Sequence, residues 1–201
     1  MKSVKNIVAS SLVLFFVLFS ILGLAGIIAL PNFVLAEDIS VTAVVQEWMS
    51  FAVSPTTTNL GNLVDSSGGV FVRSATSGLT LNSNNFGGYS VTIEGTNDGL
   101  KNGAYLIATP AAGATTTCSA SGDGADAYGA QATSTTFTIG SPFNETGDVV
   151  GFVASSSQAL VSSAYSTSSQ SAVLTIKASA NKFDASGSYS DTLTLTAVAT
   201  S

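Results

Sequence analysis

Alternation of apolar and polar residues with a period of two is the pattern that most constrains the fold of this chain. Every second residue of 172–179 is apolar, and Leu193, Leu195 and Ala197 alternate with threonines. Successive side chains of a β-strand point to opposite faces of the sheet, so both runs predict strands with one buried and one solvated face. Beyond residue 39 no convincing helical periodicity competes with this pattern.

The other apolar residues come in short runs bounded by Gly, Ser, Asn and Asp, which predict further strands. About nine short strands, with turns every 8–12 residues and no fixed-period repeat, predict an all-β protein with an immunoglobulin-like or jelly-roll β-sandwich. The predicted strands are 39–53 (bent near 46–47), 69–74, 78–81, 89–94, 104–108, 135–139, 149–154, 159–165, 172–179 and 193–197. The predicted core is Val41, Trp48, Phe51, Leu60, Leu63, Phe71, Leu79, Leu81, Tyr89, Val91, Ile93, Phe152, Leu174, Ile176, Tyr189, Leu193 and Leu195.

The first 36 residues have the parts of a secretory signal peptide. Lys2 and Lys5 precede an uncharged apolar run at 7–30, and the small residues Val34 and Ala36 mark a cleavage site after Ala36. We therefore expect a signal peptide at 1–36 and a single domain at 37–201, secreted or held at the cell surface. The apolar run is also long enough to span a membrane, so an uncleaved anchor is the alternative.

Charge and composition exclude several classes of partner. The chain has six Lys and Arg and twelve Asp and Glu, and all the acids follow residue 36, so the mature part keeps four basic and twelve acidic residues, a net charge of −8. The four basic residues are scattered, whereas nucleic-acid binding needs clustered Lys and Arg. We expect no nucleic-acid partner, and contact with a membrane only through an uncleaved leader.

The chain contains no histidine, which removes the commonest general base and most zinc or copper sites. No carboxylate pair lies in a recognisable catalytic motif, so we expect neither an enzyme nor a cofactor. Asp123 and Asp126 are weak candidates for Ca²⁺ ligands, but Asp-Gly is also a favoured turn pair.

Three other features leave alternatives open. The single Cys118 is either an inert thiol in a loop or the site of an intermolecular disulfide. Residues 109–134 hold few large apolar side chains and predict a long surface loop. The only tryptophan, Trp48, is read as a core residue or as an exposed platform for sugars, with Tyr105, Tyr128 and Tyr165 as further surface candidates.

Both ends of the mature chain resemble one bacterial family. The segments 40–45, 51–54 and 59–63, together with the closing run at 186–196 that contains Gly187, Tyr189, Asp191, Leu193 and Leu195, resemble the spore coat protein U-like domain. That family includes subunits of Csu-type chaperone–usher pili, so the resemblance implies an immunoglobulin-like sandwich and a structural, pilin-like role.

We expect an exported, non-catalytic structural subunit of a bacterial cell-surface layer, coat or pilus-like fibre. In pilins of the resembled type an alternating N-terminal segment completes the sandwich of the next subunit, which makes Ile39, Val41, Ala43 and Val45 candidates for a donated strand. The same residues also fit an ordinary first strand. An alternative function is a secreted adhesin or carbohydrate-binding module that binds a glycan through the 109–134 loop.

Overall fold

The computed structural model describes residues 40–121, 126–165 and 167–200. All regular secondary structure within these ranges is β, so the predicted fold class is confirmed. The described strands number twelve, against about nine expected: β1 Met49–Ser54, β2 Arg73–Ser83, β3 Tyr89–Gly95, β4 Gly99–Asn102, β5 Tyr105–Ala108, β6 Thr115–Thr117, β7 Ala127–Thr133, β8 Thr138–Ile139, β9 Val149–Gly151, β10 Gln158–Ser163, β11 Thr167–Ser179 and β12 Leu193–Ala199.

Two antiparallel sheets form the sandwich. One has the strand order β1-β2-β11-β7-β9-β6 and the other has the order β12-β3-β10-β8, while β4 and β5 form a separate hairpin. The connections from β2 to β3 and from β10 to β11 each cross from one sheet to the other. At one end of the sandwich the end of β12 lies beside the start of β1, since Met49 and Ala199 line the same cavity. At the other end the start of β12 lies near β7, since Tyr128 donates a hydrogen bond to Asp191.

The core lies between the inward faces of the two sheets. The strongly alternating strands supply it as expected, because their buried and solvated faces follow the two-residue period. Seven predicted core residues belong to the main buried cluster: Leu79, Leu81, Tyr89, Val91, Ile93, Leu174 and Ile176. Phe152 is also buried, and six other predicted residues are half-buried against the main cluster: Phe51, Leu60, Leu63, Tyr189, Leu193 and Leu195.

Three core predictions need correction. Val41 and Trp48 are 85% and 55% exposed, and the chain forms no strand before Met49 in the described residues. Phe71 is only half-buried and lies beneath the guanidinium of Arg73, whose Cζ is 4.5 Å from the ring centroid. The half-buried Phe71 ring therefore makes a cation–π contact with the Arg73 side chain.

The predicted long loop at 109–134 is also wrong, because residues 115–117 form β6, which pairs with β9. Residues 127–133 form β7, which pairs with β11 along its whole length and is buried on both faces. Tyr128 and Ala130 face the main core, while Ala127 packs against Cys118 and Val150 on the opposite face. Small residues hid this strand from sequence analysis, since they carry little β-propensity but allow close packing.

The compact unit that contains the sandwich runs from Val45 to Ser201. The predicted leader and Ile39 lie outside the described residues, as does Asp123.

Candidate functional site

The candidate site is the pair of neighbouring edge strands β1 and β12, which we call the open edge. Each strand pairs on one side only among the described residues, β1 with β2 and β12 with β3. An edge strand presents a row of unpaired N–H and C=O groups, which is a template for another strand. The two rows come near each other where Met49 of β1 and Ala199 of β12 line one cavity.

The inward side chains of the open edge are only partly covered. Phe51 and Val53 of β1 are half-buried, and so are Leu193, Leu195 and Ala197 of β12. Their counterparts one strand further in, such as Leu79 and Val91, are almost completely buried. The core is therefore incompletely closed along this side.

Neither strand of the open edge carries the features that usually protect an edge. Natural edge strands are commonly blocked by charged side chains, proline or bulges. The strands β1 (MSFAVS) and β12 (LTLTAVA) contain no charge and no proline, and both pair with their inner neighbours in unbroken register. The open edge is chemically competent to accept another strand.

The described part of the predicted first strand is not a strand. Residues 40–48 have no regular secondary structure, and Val41, Val44 and Val45 are 85%, 88% and 83% exposed. The prediction of an ordinary first strand within the same domain is therefore wrong for this part of the segment. The alternating candidates Val41, Ala43 and Val45 are solvent-exposed apolar or small residues.

The closing run at 186–196, which we call the closing motif, holds the beginning of β12 in place through hydrogen bonds. Asp191 lies in front of the strand, where its Oδ1 accepts hydrogen bonds from the backbone N–H groups of Asn97 and Thr192 at 3.1 and 2.9 Å. The Tyr128 hydroxyl donates to its other carboxylate oxygen at 3.3 Å. Burial raises the pKa of Asp191, and these hydrogen bonds oppose the rise. The carboxylate thus ties β12 to the β3–β4 turn and to β7.

Tyr189 and Gly187, which precede Asp191 in the motif, have local roles. The Tyr189 hydroxyl donates to the carbonyl of Ala185 at 2.9 Å and closes the turn that leads into β12. Gly187 has a φ of 150°, and a side chain there would collide with the Asn102 amide. Glycine is needed at this point because the loop passes directly over the β4–β5 hairpin.

Of the two weak calcium candidates, only Asp126 lies within the described residues, where it neighbours Asp184. Asp126 Oδ1 and Asp184 Oδ2 both accept from the backbone N–H of Asn181, at 2.9 and 2.8 Å. Burial and the neighbouring Asp184 raise the pKa of Asp126. Among the residues that the structure describes, no group of three or more His, Cys, Asp and Glu side chains could hold a metal ion.

Cys118 is a buried thiol rather than a loop residue exposed to partners. It is 2% exposed and packs with Ala127 and Val150 beneath β7. Burial raises its pKa to about 11, so the reactive thiolate is scarce at neutral pH. Both properties argue against the intermolecular disulfide, because that bond needs an accessible thiolate.

The fold buries one of the four aromatic candidates for a sugar-binding platform and leaves the other three exposed. Tyr128 is buried in β7 and is excluded from any surface role, whereas Trp48, Tyr105 and Tyr165 are 55%, 59% and 71% exposed. Tyr105 lies in β5, and Trp48 lies beside β1. The 109–134 region cannot act as a detachable binding loop, since its deletion would remove the buried β7.

An aromatic cluster at one end of the sandwich was missed by sequence analysis. We call it the aromatic end: Trp48, Met49, Phe86, Tyr165 and Val198. These residues come from four separate parts of the chain, and no local pattern connects them. Only the strand register brings them together.

Comparison with protein-family models finds no match, and no curated protein is significantly similar to this chain. No helix long and apolar enough to cross a membrane occurs among residues 40–121, 126–165 and 167–200.

Proposed function

We propose that this protein is a non-catalytic, exported structural subunit of a bacterial cell-surface layer, coat or pilus-like fibre. Subunits are joined by strand donation, in which residues 37–45 of one copy, the N-terminal segment, pair with the open edge of the next copy. The observation that carries the proposal is the open edge itself, two unprotected edge strands over an incompletely closed core.

The two surfaces have complementary patterns. Val41, Ala43 and Val45 recur every second residue, so an extended N-terminal segment presents them on one face. The inward residues of β12 recur with the same period. A strand added beside β12 would pair its backbone and cover the half-buried side chains, and each fully buried valine contributes about 1.5–3 kcal/mol.

Burial of the N-terminal segment would remove exposed apolar side chains from water. Three of its valines are more than 80% exposed, and exposed apolar clusters commonly mark interaction sites. The resemblance of 40–45 and 186–196 to the ends of spore coat protein U-like domains supports the same assignment, because those segments are the proposed donor and acceptor.

The test uses a variant that lacks residues 37–45 and a synthetic peptide with their sequence, EDISVTAVV. The variant keeps the compact unit almost intact and should remain monomeric, whereas the mature chain should form fibres visible by electron microscopy. Added peptide should raise the melting temperature of the variant by several degrees, since a ligand that binds only the folded state stabilises it in proportion to ln(1 + [L]/Kd).

A peptide with Val41→Asp and Val45→Asp is the matched control, because it keeps the backbone but places charges on the face that would be buried. It should leave the melting temperature unchanged. Strand donation is rejected if the variant without residues 37–45 still assembles, or if the two peptides stabilise it equally.

A further inference from the structure

We infer that the aromatic end of one copy packs against the body of the copy that receives its N-terminal segment. This inference rests on the proposed strand donation and adds a second contact between the same two subunits. The partner is therefore another copy of this chain.

The aromatic end is an unusually apolar surface for a domain with few large exposed side chains. Phe86 is 88% exposed, Tyr165 71%, Trp48 55%, Val198 50% and Met49 38%. Aromatic residues and methionine are enriched at protein interfaces, and exposed apolar side chains at one end of a domain are candidates for such a contact.

Strand register places these residues together. Met49 pairs with Ser83 at the end of β2, and Tyr89 at the start of β3 pairs with both Ser163 and Ala199. The turns that hold Phe86 and Tyr165 follow directly from β2 and β10. All five residues therefore lie at the end of the sandwich where the chain enters β1.

The aromatic end is continuous with the open edge. A cavity of about 200 Å³ lies between the start of β1 and the end of β12, lined by Glu47, Trp48, Met49, Ser83, Asn85 and Ala199. Its lining is mostly apolar, and it opens beside the unpaired rows of the edge strands. A second copy docked on one surface would extend onto the other.

The side chain of Asn84 fixes the point at which the chain leaves this end. Its Oδ1 accepts from the backbone N–H of Trp48, and its Nδ2 donates to the carbonyl of Gln46, both at 2.7 Å. The backbone N–H of Asn84 also donates to the Trp48 carbonyl at 3.3 Å. Gln46 is thereby anchored to the β2–β3 turn.

This anchor leaves almost no linker. The proposed donor segment ends at Val45, one residue before the anchored Gln46, and one extended residue spans only about 3.3–3.6 Å. When Val45 pairs with the edge of a second copy, the body of that copy must lie directly against the end from which the segment leaves. The aromatic end is the surface that meets it.

Trp48 is the only tryptophan, so its fluorescence reports on this surface without any substitution. We expect a blue shift of its emission when the mature chain assembles, because a half-exposed indole becomes buried. The variant that lacks residues 37–45, saturated with the EDISVTAVV peptide, is the matched control. It fills the open edge without bringing a second body, so its shift should be smaller than that of the assembled chain.

A double substitution provides the second measurement. Phe86→Ser with Tyr165→Ser should raise the concentration for half-maximal assembly by about tenfold or more, since it removes two aromatic side chains from the interface. Val173→Ser removes an exposed apolar side chain from the middle of a sheet face and should leave that concentration unchanged. Binding of the peptide to the shortened double variant should also be unchanged, which shows that the open edge is intact.

The outcomes separate the two proposals. Equal emission from the assembled chain and the peptide-saturated variant, or assembly of the double variant at the same concentration as the unsubstituted chain, overturns the contact at the aromatic end and leaves strand donation standing. Failure of the unsubstituted chain to assemble overturns both.

Discussion

Asp126 shows how a single residue predicted for one role is used for another. Its carboxylate meets that of Asp184 over the shared backbone N–H of Asn181, which joins the start of β7 to the loop after β11. Two carboxylates this close repel each other when both are ionised, and burial adds to the cost of the charge on Asp126. The hydrogen bonds to Asn181 stabilise the loop, whereas the repulsion between the two carboxylates destabilises it.

Removing that charge should stabilise the protein at neutral pH. Asp126→Asn keeps an oxygen that can accept from Asn181 and abolishes the repulsion with Asp184, so we expect a higher melting temperature at pH 7 than for the unsubstituted chain. The pKa of Asp126 is higher in the folded than in the unfolded protein. The folded state therefore takes up the proton first, and the unsubstituted chain gains stability as pH falls through the folded pKa.

The difference between the two proteins should shrink steadily on acidification and be smallest below the ordinary aspartate pKa. Thermal unfolding followed by circular dichroism from pH 3 to pH 8 measures it. Glu94→Gln, on the exposed face of β3, is the control for loss of one negative charge. A melting temperature that falls at pH 7 in Asp126→Asn would contradict the repulsion.

At the scale of elements, β7 is the strand that the sequence concealed. Its sequence, AYGAQAT, has neither β-branched residues before the final threonine nor clear alternation. The strand is stable because β11 pairs with it and because both of its faces are covered, and neither condition is visible in a local pattern. Tertiary context here overrides intrinsic propensity.

The close packing of β7 predicts an asymmetric response of two strand glycines to alanine. At Gly129 a methyl group would clash with the carbonyl of Gly151 and lie 2.8 Å from a methyl of Val150. At Gly78 it would meet only the Ser54 carbonyl, at an ordinary 3.4 Å. Gly129→Ala should lower the free energy of unfolding by about 1–3 kcal/mol, whereas Gly78→Ala should be neutral or stabilising by up to about 1 kcal/mol.

Urea unfolding of the two variants tests this difference. Both substitutions remove the same backbone freedom from the unfolded chain, so each serves as the control for the other. Equal stability of the two variants would show that β7 is not packed as tightly as described.

The segment before β1 is the opposite case. Residues 39–45 have the alternation and the valines of a good strand, yet the described part, 40–45, forms none. A strand needs a partner with unpaired backbone groups, and sequence pattern indicates the capacity to pair rather than the partner. Under strand donation the partner is another molecule, which explains why a strong local signal and a missing strand coexist.

At the scale of the whole molecule, the proposed assembly surfaces are almost free of charge. Glu37 and Asp38 at the start of the N-terminal segment and Glu47 in the cavity are the exceptions, whereas residues 39–45, β1 and β12 contain no Asp, Glu, Lys or Arg. Apolar burial and backbone pairing would then supply the association energy, and screening by salt acts mainly on charged pairs. Sulfate, by contrast, strengthens apolar burial because it is excluded from protein surfaces.

Assembly should therefore tolerate salt. Between 0.05 and 0.5 M sodium chloride we expect the concentration for half-maximal assembly to change by less than about threefold, as measured by sedimentation. Sodium sulfate at the same ionic strength should lower that concentration further. A steep loss of assembly with rising sodium chloride would point to an electrostatic interface and contradict the proposed surfaces.

The sequence alone determined the class of fold and much of its core. Period-two alternation in 172–179 and 193–197 identified β11 and β12, and it correctly placed Leu174 and Ile176 in the interior, because side-chain direction on a strand is a local property. The same locality explains the failures at Trp48, at β7 and before β1. Burial at these positions depends on what lies across the sheet rather than on neighbours in the chain.

Only the tertiary structure decided which strands are edges. The residues of β12 read as a good half-buried strand whether or not a neighbour covers them, and nothing in their order distinguishes an edge from a centre. The strand order made β1 and β12 the end strands of their sheets, left their outer backbone groups unpaired among the described residues, and gathered the aromatic end from four distant parts of the chain. Pairing between distant strands is a property of the whole fold, and for that reason the candidate assembly surface became visible only in three dimensions.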